Sequence, residues 1–193
     1  MKLTDAELLP GERRVLTKGA NAIVRPTEYG LQRFPFDKYM GLVGMKNREA
    51  VGGKLHLTTA RLVFKAHRLN RLKGSMSIFL PSVVGAADTS RLVTRKVRID
   101  TPSQAFEFVM WGIEEFLSAL ESQRAALGQD QRAELIRTIR AHPDALGGGL
   151  EASHSVDLLF RGGGQLVEVL KGAGKDRGLA SSLINLADLL YEE

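Results

Sequence analysis

Cysteine is absent from the 193 residues. Disulfides, thiolate metal sites and cysteine nucleophiles are thereby excluded, and folding must rest on packing alone. A chain of this kind fits a reducing compartment. Aromatic residues make up only 6% of the sequence, with one tryptophan. That is too few for the basic and aromatic side chains that interleave on one face of a nucleic-acid-binding groove. No apolar run approaches the roughly 18 residues of a membrane span, and residues 1 to 10 lack the continuous apolar stretch of a signal peptide. The expectation is a cytoplasmic protein. Histidine is sparse as well: His56, His67, His142 and His154 stand singly, without the paired spacing of a metal site, so each is expected at the surface.

What is present is the balance of a globular protein, 44% hydrophobic and 25% charged. The net charge of +5 conceals an asymmetry. Residues 1 to 110 hold 19 Lys and Arg against 9 Asp and Glu, whereas residues 111 to 193 hold 8 against 13. The basic part is where an anionic partner would be sought.

The same part reads as strands. A hydrophobic run from Val15 to Val24, between Pro10-Gly11 and Pro26, predicts a long first strand with a bend at Gly19. Residues 28 to 51 carry Gly30, Pro35, Gly41 and Gly44 without clean periodicity and read as a long loop. Residues 53 to 67 then alternate strictly. Leu55 and Leu57, and after a tight turn Ala60, Leu62, Phe64 and Ala66, form an inward set, with Lys54, His56, Thr58, Arg61, Lys65 and His67 outward. After a polar, basic connection from Arg68 to Gly74, alternation resumes at Met76, Ile78 and Leu80. Further short strands are expected at 83 to 87, 92 to 100 and 105 to 110. Seven short antiparallel strands predict a sandwich or partly closed barrel.

From Trp111 the period changes to that of a helix, with Ile113, Phe116, Leu117 and Leu120 on one stripe and Glu114, Glu115 and Glu121 outside it. A second helix opens at Gln129 or Asp130, with Leu135, Ile136 and Ile139 inward and Arg132, Arg137 and Arg140 facing water. Pro143 and Gly147 to Gly149 suggest a boundary. Beyond it lie a hairpin around Gly162 to Gly164 and a last helix striped by Leu179, Leu183, Leu186 and Leu190. Fewer than 50 residues bury little alone, so this segment is expected to pack on the barrel or on a second copy. The division is residues 1–128 as one domain and 129–193 as its appendage.

Ordered features in the first 120 residues resemble the GRAM domain family, whose fold is like that of pleckstrin-homology domains. They are Gly11-Glu12, Gly53-Lys54-Leu55-His56-Leu57-Thr58 with Arg61-Leu62-Val63-Phe64, Ile78-Phe79-Leu80-Pro81-Ser82-Val83-Val84, Val97-Arg98-Ile99, Phe106-Glu107-Phe108 and the closing helix. The segment before Gly52 is longer than in that family, and residues 128 to 193 have no counterpart in its core. The resemblance implies an α+β fold: a seven-stranded antiparallel β-barrel or sandwich capped by a C-terminal helix, serving as a non-enzymatic binding module for lipid or protein.

In an antiparallel meander the loops at 27 to 51 and 67 to 74 leave the same end of the sheet. Together they gather Lys46, Arg48, Lys65, His67, Arg68, Arg71 and Lys73 into a positive rim. Such cations suit charge-assisted hydrogen bonds to phosphate oxygens of an anionic lipid headgroup. The alternative is a protein-interaction or oligomerisation module. Arg91, Arg95, Lys96 and Arg98 do not make one patch, since adjacent strand residues point to opposite faces. Residues 171 to 175, Lys-Gly-Ala-Gly-Lys, fail as a phosphate-cradling loop because Asp176 stands where a hydroxyl is needed. No catalytic residue, metal site or cofactor is expected.

Overall fold

The computed structural model describes residues 1–25, 48–70, 72–91, 93–102, 104–141 and 149–152. Four strands form a meander: β1 (Arg14–Val24), β2 (Glu49–Thr58), β3 (Arg61–Ala66) and β4 (Leu72–Phe79). Three more follow, β5 (Gly85–Asp88), β6 (Lys96–Asp100) and β7 (Ala105–Met110). They lead into the helices α1 (Ile113–Ala126) and α2 (Gln129–Ala141), and an eighth strand, β8 (Gly149–Ala152), closes the described chain. All pairing is antiparallel, in the order β5-β6-β7-β1-β2-β3-β4-β8. β1 pairs with both β2 and β7, so it joins a four-strand and a three-strand half, and α1 lies against β5 and β1. This is the expected α+β architecture, an antiparallel sheet of two halves with a helix after its seventh strand.

Alternation builds the core. Leu55, Leu57, Leu62, Phe64 and Ala66 are all buried in it, with Val97, Ile99, Phe106 and Phe108 from the other half and Ile113, Phe116 and Leu120 from α1. The rings of Phe64 and Phe108 meet at 5.7 Å between centroids, and each buried aromatic contributes about 2 to 3 kcal/mol. Gly53 makes the packing of Phe64 feasible. A Cβ there would lie 2.3 Å from the Lys65 carbonyl oxygen and 2.7 Å from the Phe64 ring. Helix α1 starts from Gly112 in the left-handed region (φ 69°), with Glu114 and Glu115 in its first turn and Arg124 in its last, matching the helix dipole.

Several expectations are corrected. β1 runs unbroken through Gly19, and its irregularity lies instead between Arg14 and Leu16. β4 begins at Leu72, inside what reads as a basic loop, because Leu72 is fully buried. A strand not expected from the sequence, β8, pairs with β4 from Gly149 onward, and its Leu150 joins the main core. Four residues are too short for alternation to announce. Arg61 and His56, read as outward and solvated, are 1% and 3% exposed. They do face away from the main core, but that outer surface of the sheet is covered by residues 1 to 12 and by α2. Leu9, Ala60, Phe79, Leu135, Ile136 and Ile139 form a second small core there. Arg132 is half-buried and donates to the Pro81 carbonyl at 3.1 Å rather than standing in water.

Candidate functional site

The outer face of β2, β3 and β4 divides into a closed lower half and a basic upper half. The lower half is organised by Glu12, whose side chain is fully buried. Its carboxylate accepts the Leu9 N–H (2.6 Å), the Thr58 hydroxyl (2.6 Å) and the Arg61 guanidinium at Nε (3.0 Å) and Nη2 (3.2 Å). Arg61 also donates to Ser77 Oγ (3.2 Å) and to the Glu7 carbonyl (2.6 Å), and lies over the Phe79 ring. Thr58 Oγ1 accepts the Ala60 and Arg61 N–H groups, which holds the tight β2–β3 turn. Glu12, Thr58 and Arg61 are thus joined in one buried ion-pair network.

The upper half presents cations. Lys54 and Lys65 are direct cross-strand partners, Lys65 is opposite Ser75, and Lys73 shares that face two residues away on β4. Lys54 and Lys73 are exposed, whereas the Lys65 side chain is 11% exposed. Its ammonium contacts both carboxylate oxygens of Glu7 (2.5 and 2.8 Å) and the Lys2 carbonyl (3.0 Å). Glu7 also accepts the Thr4 N–H and hydroxyl at 2.8 and 2.7 Å. Burial pushes its pKa up, but the hydrogen bonds from Lys65 and Thr4 win and hold it at about 2. Between the two halves sits His56, whose Nδ1 is 2.9 Å from Thr17 Oγ1. Burial, then the charges of Lys65 and Lys54, depress its pKa to about 4. Its Nε2 has no hydrogen-bond partner among the described residues.

At the top of the face β3 turns into β4. The Asn70 N–H donates to the His67 carbonyl (3.0 Å), while the His67 N–H (2.8 Å) and Asn70 Nδ2 (2.5 Å) both donate to the Gly52 carbonyl. This fixed turn exposes His67 and Arg68 and holds Leu69 90% exposed at its apex. The structure thus brings His67, Arg68, Lys65 and Lys73 to one region. Arg48 stands elsewhere, paired with Glu107, which Lys96 also contacts at 2.8 Å. Burial raises the Glu107 pKa, yet Lys96 and Arg48 outweigh it and bring it below the usual carboxylate range. Lys46, Arg71 and most of the 27 to 51 loop lie outside the described residues, as do His142, His154 and residues 153 to 193. Sequence reasoning missed Lys54 as a site residue, although its alternation with Leu55 placed it on this face. Nothing in the sequence marked Glu7 as the partner of Lys65, 58 residues away.

Two grooves lie at the opposite end. A groove of about 330 Å³ runs between Leu9, Glu12 and Ala60 and the helices at Leu127 and Leu135, and another of about 430 Å³ is bounded by Leu80, Val84, Arg124 and Arg132. Neither of these two grooves is lined by the basic residues of the upper half. Among the described residues no group of three His, Asp or Glu side chains is placed to hold a metal, and no helix is long and apolar enough to cross a membrane.

No protein-family model matches the chain, and no curated protein matches it. Among the solved structures similar to it are two domains. One is the C-terminal domain of an unknown protein from Leishmania infantum, with a TM-score of 0.42 and 15% identity, over 60% of this chain and 87% of that one. The other is the Vps36 N-terminal PH domain, with a TM-score of 0.41 and 12% identity, over 62% of this chain and 84% of that one.

Proposed function

We propose that the chain is a non-enzymatic binding module, cytoplasmic and peripheral at membranes, whose upper sheet face and β3–β4 turn recognise anionic lipid headgroups. The observation that supports this most is the turn itself: an exposed apolar apex, Leu69, on a hydrogen-bonded scaffold beside Arg68 and the Lys54 and Lys73 ammonium groups. Cations would engage phosphate oxygens while Leu69 enters the apolar boundary. In the same reading the chain is a GRAM-type domain over residues 10–120, supported by the ordered residues of its sequence. Residues 129–193 form the supporting appendage.

Magnitudes limit the claim. Each cation near an anionic surface contributes about 1 kcal/mol, and burying Leu69 about 2. Lys54, Arg68, Lys73 and Leu69 together give roughly 5 kcal/mol, a sub-millimolar dissociation constant. Arg71 and Lys46 would add to this. Charge reversal at Arg68 and Lys73 tests the reading. Co-sedimentation with phosphatidylserine vesicles should fall by about tenfold or more in the double variant, and an unchanged bound fraction sinks it. A second reading, a peptide-binding module, is favoured by the groove beside Leu9, Ala60 and Leu135. A peptide partner seated there would survive the charge reversal and be lost on Leu135→Glu.

A further inference from the structure

We propose that residues 1 to 8 are a built-in competitor for the anion-binding face, with the Glu7 carboxylate occupying on Lys65 the place that an anionic lipid headgroup would take. This rests on the lipid reading above and adds its regulation. Two lysines directly opposite each other in a sheet repel, and the pair Lys54–Lys65 calls for a counter-anion. The fold supplies one from a remote segment. Glu7 meets the Lys65 ammonium through both oxygens, as a bound phosphate or carboxylate would, and leaves that ammonium almost without access to water.

The attachment of this segment is graded along its length. Residues 9 to 12 are held by the buried Glu12–Arg61 pair and by Leu9 in the second core. Residues 1 to 8 are held by less: buried Leu3, the Arg14 contacts to Asp5 and to the Leu3 carbonyl, the Arg61 bond to the Glu7 carbonyl, and the Lys65 contacts. Lifting the first eight residues therefore costs Arg61 its bond to the Glu7 carbonyl but keeps the Glu12–Arg61 pair, and it frees Lys65 to join Lys54, Lys73 and Arg68. It also uncovers His56, which is 3% exposed in the docked arrangement. Ligand binding and docking of the segment then exclude each other, so each weakens the other by the same factor.

The experiment uses the full chain and three variants on phosphatidylcholine vesicles with and without phosphatidylserine, with soluble inositol hexakisphosphate as a competitor to separate headgroup chemistry from bilayer contact. Glu7→Gln should bind the anionic vesicles about tenfold more tightly than the unaltered chain, since it removes one repelling charge and releases one cation. Asp5→Asn changes net charge equally but breaks only an exposed pair with Arg14, so it should gain far less. Adding Lys65→Ala to Glu7→Gln should abolish the gain. Amide hydrogen exchange in residues 1 to 8 should rise when anionic vesicles are added to the unaltered chain. Equal gains from Glu7→Gln and Asp5→Asn, or binding that leaves exchange in that segment unchanged, overturn the competitor while leaving lipid binding standing. Absence of binding by every variant removes both.

Discussion

At the scale of single residues, the strongest local commitment is the Glu12–Arg61 pair. Both side chains are out of contact with water, so removing one partner leaves an unpaired charge inside the protein. Arg61→Leu should cost about 3 to 5 kcal/mol in urea unfolding. The double variant Glu12→Gln with Arg61→Met should be less destabilised than the sum of its single changes, because no buried charge remains. His56 gives a pH signature. Its folded pKa of about 4 lies below the ordinary 6.5, so the unfolded chain binds the proton more readily. Stability contributed by neutral His56 is present above pH 6.5 and is lost as pH falls toward 4, by about 3 kcal/mol in all. His56→Gln removes that titration. The stability difference between pH 7 and pH 4 should shrink by about that amount, and an unchanged difference would contradict the burial of a neutral imidazole.

At the scale of elements, the hairpin was legible because period-two alternation names a buried face on each strand. The helix α1 was legible because its stripe changes to period 3.6. What alternation cannot reveal is whether the other face is wet. Arg61, His56 and Val63 sit on outward positions, and a polar-looking segment, residues 1 to 12, buries Leu3 and Leu9 in covering them. Only pairs such as Glu12 with Arg61, 49 residues apart, carry that information. The inward stripe of α2 was readable from Leu135, Ile136 and Ile139, but its target, Leu9, Ala60 and Phe79, was not. Within the candidate site the cations were readable by type, and Lys73, Arg68 and His67 stand in the expected region. Which of them is already neutralised was hidden, since Lys65 and Arg48 find carboxylates across the fold. Gly53 belongs to this scale too. Gly53→Ala should destabilise by about 1 to 3 kcal/mol through overpacking against Phe64 and the Lys65 carbonyl. Thermal unfolding checks it, and a neutral result would mean that β2 and β3 separate more readily than their register implies.

At the scale of the whole molecule, the sheet divides its labour between ends. The lower end is closed by α1, α2 and the Glu12 network, and the upper end carries exposed cations and an apolar apex on strands that cannot easily shift. Exposed Val93 lies in the β5–β6 connection and exposed Trp111 follows Met110, whose N–H donates to the Arg95 carbonyl of that connection, away from the basic turn. They take no part in the proposed contact.

The most direct measurement is binding to phosphatidylserine vesicles as a function of salt, with phosphatidylcholine vesicles alongside. Binding is expected at low salt and fades as the screening length shrinks to about 10 Å near 0.1 M, with no binding to the neutral vesicles at any salt. Equal binding to both kinds of vesicle, or none to the anionic kind at the lowest salt, would contradict it.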